Sequence, residues 1–417
     1  MLSKPRRDRW IFLCALIVLT AVSAQAQSPV GLEFRVNSQS INAFDPDIAA
    51  GLDGVFTVVW PHANDPSEGP EEVTAREFSS KGHDSLEFNL VEGSVPFHTI
   101  DLPKVAPAPR GGGALFYTQS RPTGDRQILE SRFLDDGSSP GSPFVVSKPL
   151  PSIADLHAVA SLPSGGYFII AEDDLCPGCR YPQPHIFARV LGPMGRYVSS
   201  YFLVDTDTSR ASFSGARSLG VDAAGHAVVV WETQQRVVVP KQTTILGQRF
   251  SPTGKRLADS FLVSKPGVGM NVLPSVAVHP AGDFVVVWQF QPDADTPRSV
   301  HGRRFSKSGA PVGEEFVIEA DPVADSIVPS IAGDSQGNFV VVWTSFGPSF
   351  CPSVKGRLYH PDGTPFGPSF PLASSADSCD EQPQVAFGPD GIFGVVWTRD
   401  LDDGGSDIYA ALFKVGR

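Results

Sequence analysis

The stretch Gly282-Asp283-Phe284-Val285-Val286-Val287-Trp288 recurs along the chain and decides its fold. Close copies are GVFTVVW (54–60), GHAVVVW (225–231), GNFVVVW (337–343) and GIFGVVW (391–397), and two eroded copies end at Tyr117 and Ala171. The copies end at 60, 117, 171, 231, 288, 343 and 397, a period of 54 to 60 residues repeated seven times. Such a period marks a solenoid, propeller or array, because no single unit can bury its apolar faces alone. Within each copy the apolar residues are consecutive rather than alternating, as in a strand covered on both sides.

Working outward, each copy is preceded by a P-x-[VI]-A strand, as in Pro274-Ser275-Val276-Ala277 and Pro329-Ser330-Ile331-Ala332. Five residues separate Ala277 from Gly282 and six separate Gly282 from Trp288, and these offsets hold in all seven copies. A glycine fixed at one place in seven hairpins predicts a backbone position with positive φ. Downstream comes a third strand with a small residue (Gly247, Gly302, Gly356, Ala75, Ala188, Ala410), then a fourth with a phenylalanine: Phe34, Phe88, Phe144, Phe202, Phe261, Phe316 and Phe370. Four antiparallel strands per repeat make a propeller blade. The spacing therefore predicts an all-β fold, a seven-bladed β-propeller of four-stranded antiparallel blades.

The ends of the repeat array predict how the ring closes. A fourth strand (GLEFRV, 31–36) stands first and a third strand (IYAALFKV, 408–415) stands last. The N-terminal strand is thus expected to complete the last blade, leaving no open edge.

Before the repeats lie Lys4, Arg6, Arg7 and Arg9, an apolar run from Trp10 to about Val22, and Ala24-Gln25-Ala26. This reads as a signal peptide over 1–26, cut after Ala26, with the propeller over 27–417. The apolar run is too short for a comfortable membrane span and does not recur, so a soluble, secreted or periplasmic protein with no membrane span is expected. A net charge of -12 speaks against nucleic acid and anionic membranes as partners. A monomer is expected.

Of five cysteines, four follow the signal segment: Cys176, Cys179, Cys351 and Cys379. In an exported chain an even count reads as disulfides. Cys351 falls in a loop between the second and third strands of blade six and Cys379 in the linker to blade seven, so these two are expected on one face and close enough to bridge. Cys176 and Cys179 rim the same face in blade three; CPGC as a redox motif would need a helix start beside a parallel sheet, which is not suggested.

That face, formed by the longer loops, is the expected binding face. It gathers acids: Asp400, Asp402, Asp403 and Asp407 in RDLDDGGSD, Asp205 and Asp207, Asp293 and Asp295, and Asp173 and Asp174. The first cluster has the D-x-D-x-G opening of a calcium loop but lacks the later glutamate of an EF-hand, making it a candidate Ca2+ site beside the alternative of a solvated acidic loop. His62 and His98 are read as surface loop residues. The channel positions, taken from the x of P-x-V-A, are Asp47, Lys104, Ala158, Ser218, Ser275, Ser330 and Gln384, which supply no carboxylate pair. No HExxH or G-x-S-x-G motif is present. The repeated tryptophans read as packing between blades rather than as a sugar-stacking series.

The composite P-x-V-A…G-x-F-V-V-V-W…G-x-R-F resembles the repeats of exported bacterial β-propeller proteins, over essentially residues 31–417. The resemblance implies fold and export and carries no functional residues. The sialidase Asp-box, S-x-D-x-G-x-x-W, is not matched by DSQGNFVVVW, whose spacing differs, and the D-x-D-x-D-G of integrin-type calcium repeats is absent from most repeats. The function these readings favour is a binding module whose long-loop face takes a glycan or an extracellular or envelope protein, with calcium assistance. The alternatives are a propeller hydrolase of carbohydrate, using loop carboxylates such as those of 400–407, and a structural cell-surface protein.

Overall fold

In the computed structural model the described residues are 27–416, apart from 39–41, 64–71, 81–85, 92–99, 109–110, 121–125, 140, 148–154, 175–183, 206–209, 214–218, 236–241, 268, 349–350, 374–377 and 403. They form seven antiparallel sheets, each built from one repeat except the last. Blade five shows the plan: inner strand Met270–Val278, second strand Phe284–Gln291, third strand Ser299–Phe305 and outer strand Phe316–Glu319. Blades are numbered in chain order, so blade one carries Val55–Ala63 as its second strand and blade seven carries Ile392–Asp400. No helix among the described residues is long and apolar enough to cross a membrane.

The sequence pattern acts through identifiable contacts. The hairpin glycines Gly54, Gly111, Gly165, Gly225, Gly282, Gly337 and Gly391 all have positive φ, between 68° and 100°. The small residue of each third strand lies under the outer-strand ring: Gly247 pairs with Phe261, and a Cβ on Gly247 would stand 2.4 Å from that ring. Blade two breaks the rule with Glu130 opposite Phe144, and there the ring is 42% exposed and leans on Tyr197 instead. The tryptophans pack between blades, as expected: Trp288 is fully buried against Val228 and Val230 of blade four.

The ring closes as the strand order predicts. Phe34–Arg35 pairs with Ser406–Val415, and Gln27–Pro29 extends the pairing to Phe413, Lys414 and Val415. Asp407 secures this closure, accepting hydrogen bonds from Asn37 Nδ2 at 2.7 Å and Arg35 Nη1 at 3.3 Å.

A feature absent from the sequence reading recurs at the inner strands. Asp45, Leu273, Val328 and Gln382 have φ between 45° and 54°, and each precedes the proline of P-x-[VI]-A. In blades five to seven the register there slips by one residue, a β-bulge. Residues before proline avoid the helical region and left-handed φ is strained outside glycine, so such bulges persist only where neighbours hold them. The preceding blade does so. Glu232 Oε2 accepts from the Leu273 amide at 2.8 Å, and Thr344 Oγ1 accepts from Gln382 at 3.0 Å. Blade three keeps the bulge and the cap without the positive φ, with Leu156 donating to Thr118 Oγ1 at 3.1 Å and His157 in the proline's place.

Candidate functional site

The second-to-third loops and the linkers between blades emerge together around one mouth of the ring, and the described part of that face is mainly blades five to seven. A cleft of about 390 Å³ opens there between blades five and six. Its apolar walls come from Phe346, Val323, Pro297 and Pro348, and its polar edge from Gln291 and Asp295. Phe346 ends the second strand of blade six, opposite Asp325 in the register, and this position puts its ring at the mouth rather than in the seam. It is 36% exposed, and Val323 is 69% exposed.

The charges of the cleft are fixed by pairing. Arg298 donates to both oxygens of Asp325, from its amide and from Nη2, each at 2.6 Å. These bonds hold the Asp325 carboxyl below the usual range, so it is ionised and is not a proton donor at neutral pH. Asp293 spends its Oδ1 on the amides of Asp295 and Thr296 and on the Thr296 hydroxyl. Below, His301 stacks 4.6 Å from Phe290, and burial pushes its pKa down to about 4. It is neutral at physiological pH.

Elsewhere on the mouth, carboxyl groups crowd one another. Glu381 is raised by burial and then by the charges of Asp400 and Asp45. Glu232, which caps Leu273, is raised by burial, lowered by that amide, and raised by Glu172. Glu172 in turn meets His157 Nε2 at 3.1 Å.

The residues singled out from the sequence are distributed as follows. Asp400 and Asp402 are exposed at the last hairpin, and Asp403 lies outside the described residues. Asp407 is buried and on the opposite face of the sheet from Asp400, because it pairs with Arg399. Asp400 and Asp407 therefore do not converge, and among the described residues no group of three or more His, Cys, Asp or Glu is arranged to hold a metal ion. Asp205 is buried and accepts from the Ile186 amide at 3.0 Å. His62 is not a surface loop residue: it ends the second strand of blade one, is 4% exposed, and contacts Thr74 Oγ1 at 3.0 Å. Loop placement failed there because the strand runs three residues past Trp60.

Cys351 and Cys379 form a disulfide joining blade six to the inner strand of blade seven. Cys176, Cys179, His98, Asp207, Ser218 and the segment 1–26 lie outside the described residues. The central channel narrows to a cavity of about 300 Å³ lined by inner strands. There Asp47 accepts from the Val105 amide at 3.0 Å, and Ser330 donates to Gln384 at 3.2 Å, so the polar channel residues tie neighbouring blades together. Phe346 and the caps on the bulges were missed; an aromatic three residues past the blade-six tryptophan was the available signal.

No protein-family model matches the chain, and no curated protein matches its sequence. Solved structures match its fold. Polysaccharide lyase Uly1 is similar with a TM-score of 0.58 at 11% identity, over 93% of this chain and 100% of that one. An α-L-arabinanase of Penicillium chrysogenum, complexed with arabinobiose, gives 0.51 at 11%, over 94% and 98%. The propeller domain of the Trilobed protease from Pyrococcus furiosus gives 0.51 at 10%, over 92% and 97%, and has an open velcro topology. At these identities the likeness is one of fold. Unlike that open ring, the present one is closed by its N-terminal strand.

Proposed function

We propose that this chain is an exported glycan-binding propeller and that its ligand lies across the mouth, on the cleft between blades five and six. The observation that carries the reading is the exposed Phe346 ring flanked by Gln291, Asp295 and Asp325. Pyranose rings present an apolar C–H face and a hydroxyl edge, which suit an aromatic wall with amide and carboxylate neighbours. The pairing of Asp325 with Arg298 supports binding over cleavage, since it removes a proton donor from the cleft. Polysaccharide lyase and arabinanase propellers of similar fold are compatible with a carbohydrate ligand.

The test is a glycan array on the chain from Gln27 onward, with calcium and with a chelator, and with eluted glycans checked for length. Retention of intact glycan, weakened roughly tenfold by Phe346→Ala, is the expected result. Silence of the array at every glycan sinks the proposal. Calcium assistance would draw on Asp400 and Asp402, and then chelator and Asp400→Asn should weaken retention alike.

One observation favours a second reading, a carbohydrate-cleaving enzyme. Glu232, raised by burial and in smaller part by the charge of Glu172, stands with Glu172 and its partner His157 as two neighbouring carboxyl groups of the kind that acid–base cleavage of a glycosidic bond uses. Shortened products that vanish with Glu232→Gln would put this reading first.

A further inference from the structure

At the seam between blades seven and one the capping position is occupied but makes no bond. Thr398 follows Trp397 as Thr344 follows Trp343 and Glu232 follows Trp231, the positions that cap bulge amides. Yet Thr398 Oγ1 has no hydrogen-bond partner although the residue is 2% exposed. Glu381 is its cross-strand partner, and Asp400 stands two residues further along the same strand. Cross-strand partners, and residues two apart, share a face of the sheet. Val396 belongs to the same alternation and packs on Ile48, Phe56 and Trp60, so that face looks onto blade one. By register a buried hydroxyl therefore shares this face with the Glu381 and Asp400 side chains, and after burial the charges of Asp400 and of Asp45 in blade one both raise Glu381. Arg399 points to the other face, where Asp380 and Glu33 hold it at 2.6 and 3.1 Å.

We propose that this notch binds a primary ammonium group and that the saccharides taken by this face are amino sugars with free amines, an inference that rests on the glycan reading above. An ammonium has three donors and no acceptor, matching two carboxylates and a hydroxyl that can accept. It also relieves the repulsion among Glu381, Asp400 and Asp45, which a neutral hydroxyl does not. A uronate would add a like charge and be repelled. Among the described residues no group of three or more His, Cys, Asp or Glu is arranged to hold a metal ion, which needs oxygens converging within about 2.6 Å, so this face suits an ammonium better.

The experiment is calorimetric titration, at pH 6 and constant ionic strength, with a glucosamine hexamer and with its fully N-acetylated counterpart. The free amine should bind on the order of fivefold tighter, the gain of two or more partly exposed charge contacts. Glu381→Gln and Thr398→Val should each shrink that difference while Phe346→Ala weakens both hexamers equally. Equal affinity for the two hexamers, or a difference untouched by Glu381→Gln, overturns the proposal while leaving glycan binding in place. Propylammonium chloride, titrated against sodium chloride, separates the two ideas if neither hexamer binds. Binding lost in Glu381→Gln keeps the notch and removes the glycan; no binding removes both. Poly-lysine held more tightly than the amine hexamer, and indifferent to Phe346→Ala, would overturn the saccharide assignment in favour of a basic peptide.

Discussion

Gln248 Oε1 accepts a hydrogen bond from Arg256 Nη1 at 2.9 Å, and through this pair blade four keeps a contact that its third strand does not supply directly. In blades one, three, five and six the residue after the small third-strand position is an arginine: Arg76, Arg189, Arg303 and Arg357. Each reaches back to a carbonyl of the preceding outer strand, on Val36, Val146, Val263 and Ile318. Blade four has Gln248 there, and Arg256 comes in from the turn to reach Val204 O at 2.6 Å and Leu203 O at 3.0 Å.

Arg256→Ala should therefore lower stability by about 1.5 to 3 kcal/mol, the range for a hydrogen bond to a charged group. Gln248→Arg in the same background should recover most of it, because the strand position then reaches the carbonyls itself. Urea denaturation of the single and double variants checks both; a double variant as weak as Arg256→Ala would show that the two positions are not equivalent.

Blade seven has Ala411 at the arginine position, and its seam with blade six carries the Cys351–Cys379 disulfide. With a sequence separation of 28 between the cysteines, loop entropy gives about 3 to 4 kcal/mol. Reduction should lower the melting temperature, and Cys351→Ser with Cys379→Ser should reproduce the loss. Intact mass before and after alkylation tells whether the two thiols are oxidised in protein exported from cells.

Asp407 is 2% exposed and bonds Asn37 and Arg35 from the far end of the chain. Asp407→Ala removes the charged acceptor of Asn37 Nδ2 and Arg35 Nη1 and should cost about 2 to 4 kcal/mol. Deleting residues 27–36 should go further and broaden or abolish the cooperative melt, since blade seven loses its outer strand. A melt unchanged by the deletion would contradict closure through this strand.

Glu77 is buried beside Thr57, and burial first, then the charges of Asp135 and Asp53 against the Thr57 bond, push its pKa up to about 7. Its folded pKa lies above the unfolded value near 4.5, so its stabilising effect is complete below about 4.5 and is lost as pH rises to about 7. The loss should be roughly 3 kcal/mol, from 1.36 kcal/mol per unit. Glu77→Gln should flatten the stability profile over that window relative to the parent protein. Parallel profiles would exclude the assignment.

Gly282 and its six counterparts revealed the hairpins because positive φ leaves a mark in the sequence at the residue that adopts it. The phenylalanines and small residues revealed the outer pair for a similar reason, since each ring needs the space of a missing side chain. Leu273 and Gln382 left no such mark: the groups that hold their backbone stand on the preceding blade, about forty residues upstream. Asp407 misled because its neighbours in RDLDDGGSD suggest a loop, whereas strand alternation turns it from Asp400 toward Asn37. Phe346 was hidden by its own context, an apolar residue among apolar residues whose exposure depends on where the strand stops.

The pairing of Gln27–Pro29 and Phe34–Arg35 with Ser406–Val415 imposes an order of assembly. A chain made from its N-terminus produces the closing strand first and its partner last, with all seven hairpin units in between. Six blades can form from neighbours in sequence as they emerge, but the closing strand must wait, unpaired, until its partner is made. Synthesis of Ser406–Val415 thus triggers the final joining of the ring, and the lifetime of the open form sets the interval in which two chains could exchange their closing strands.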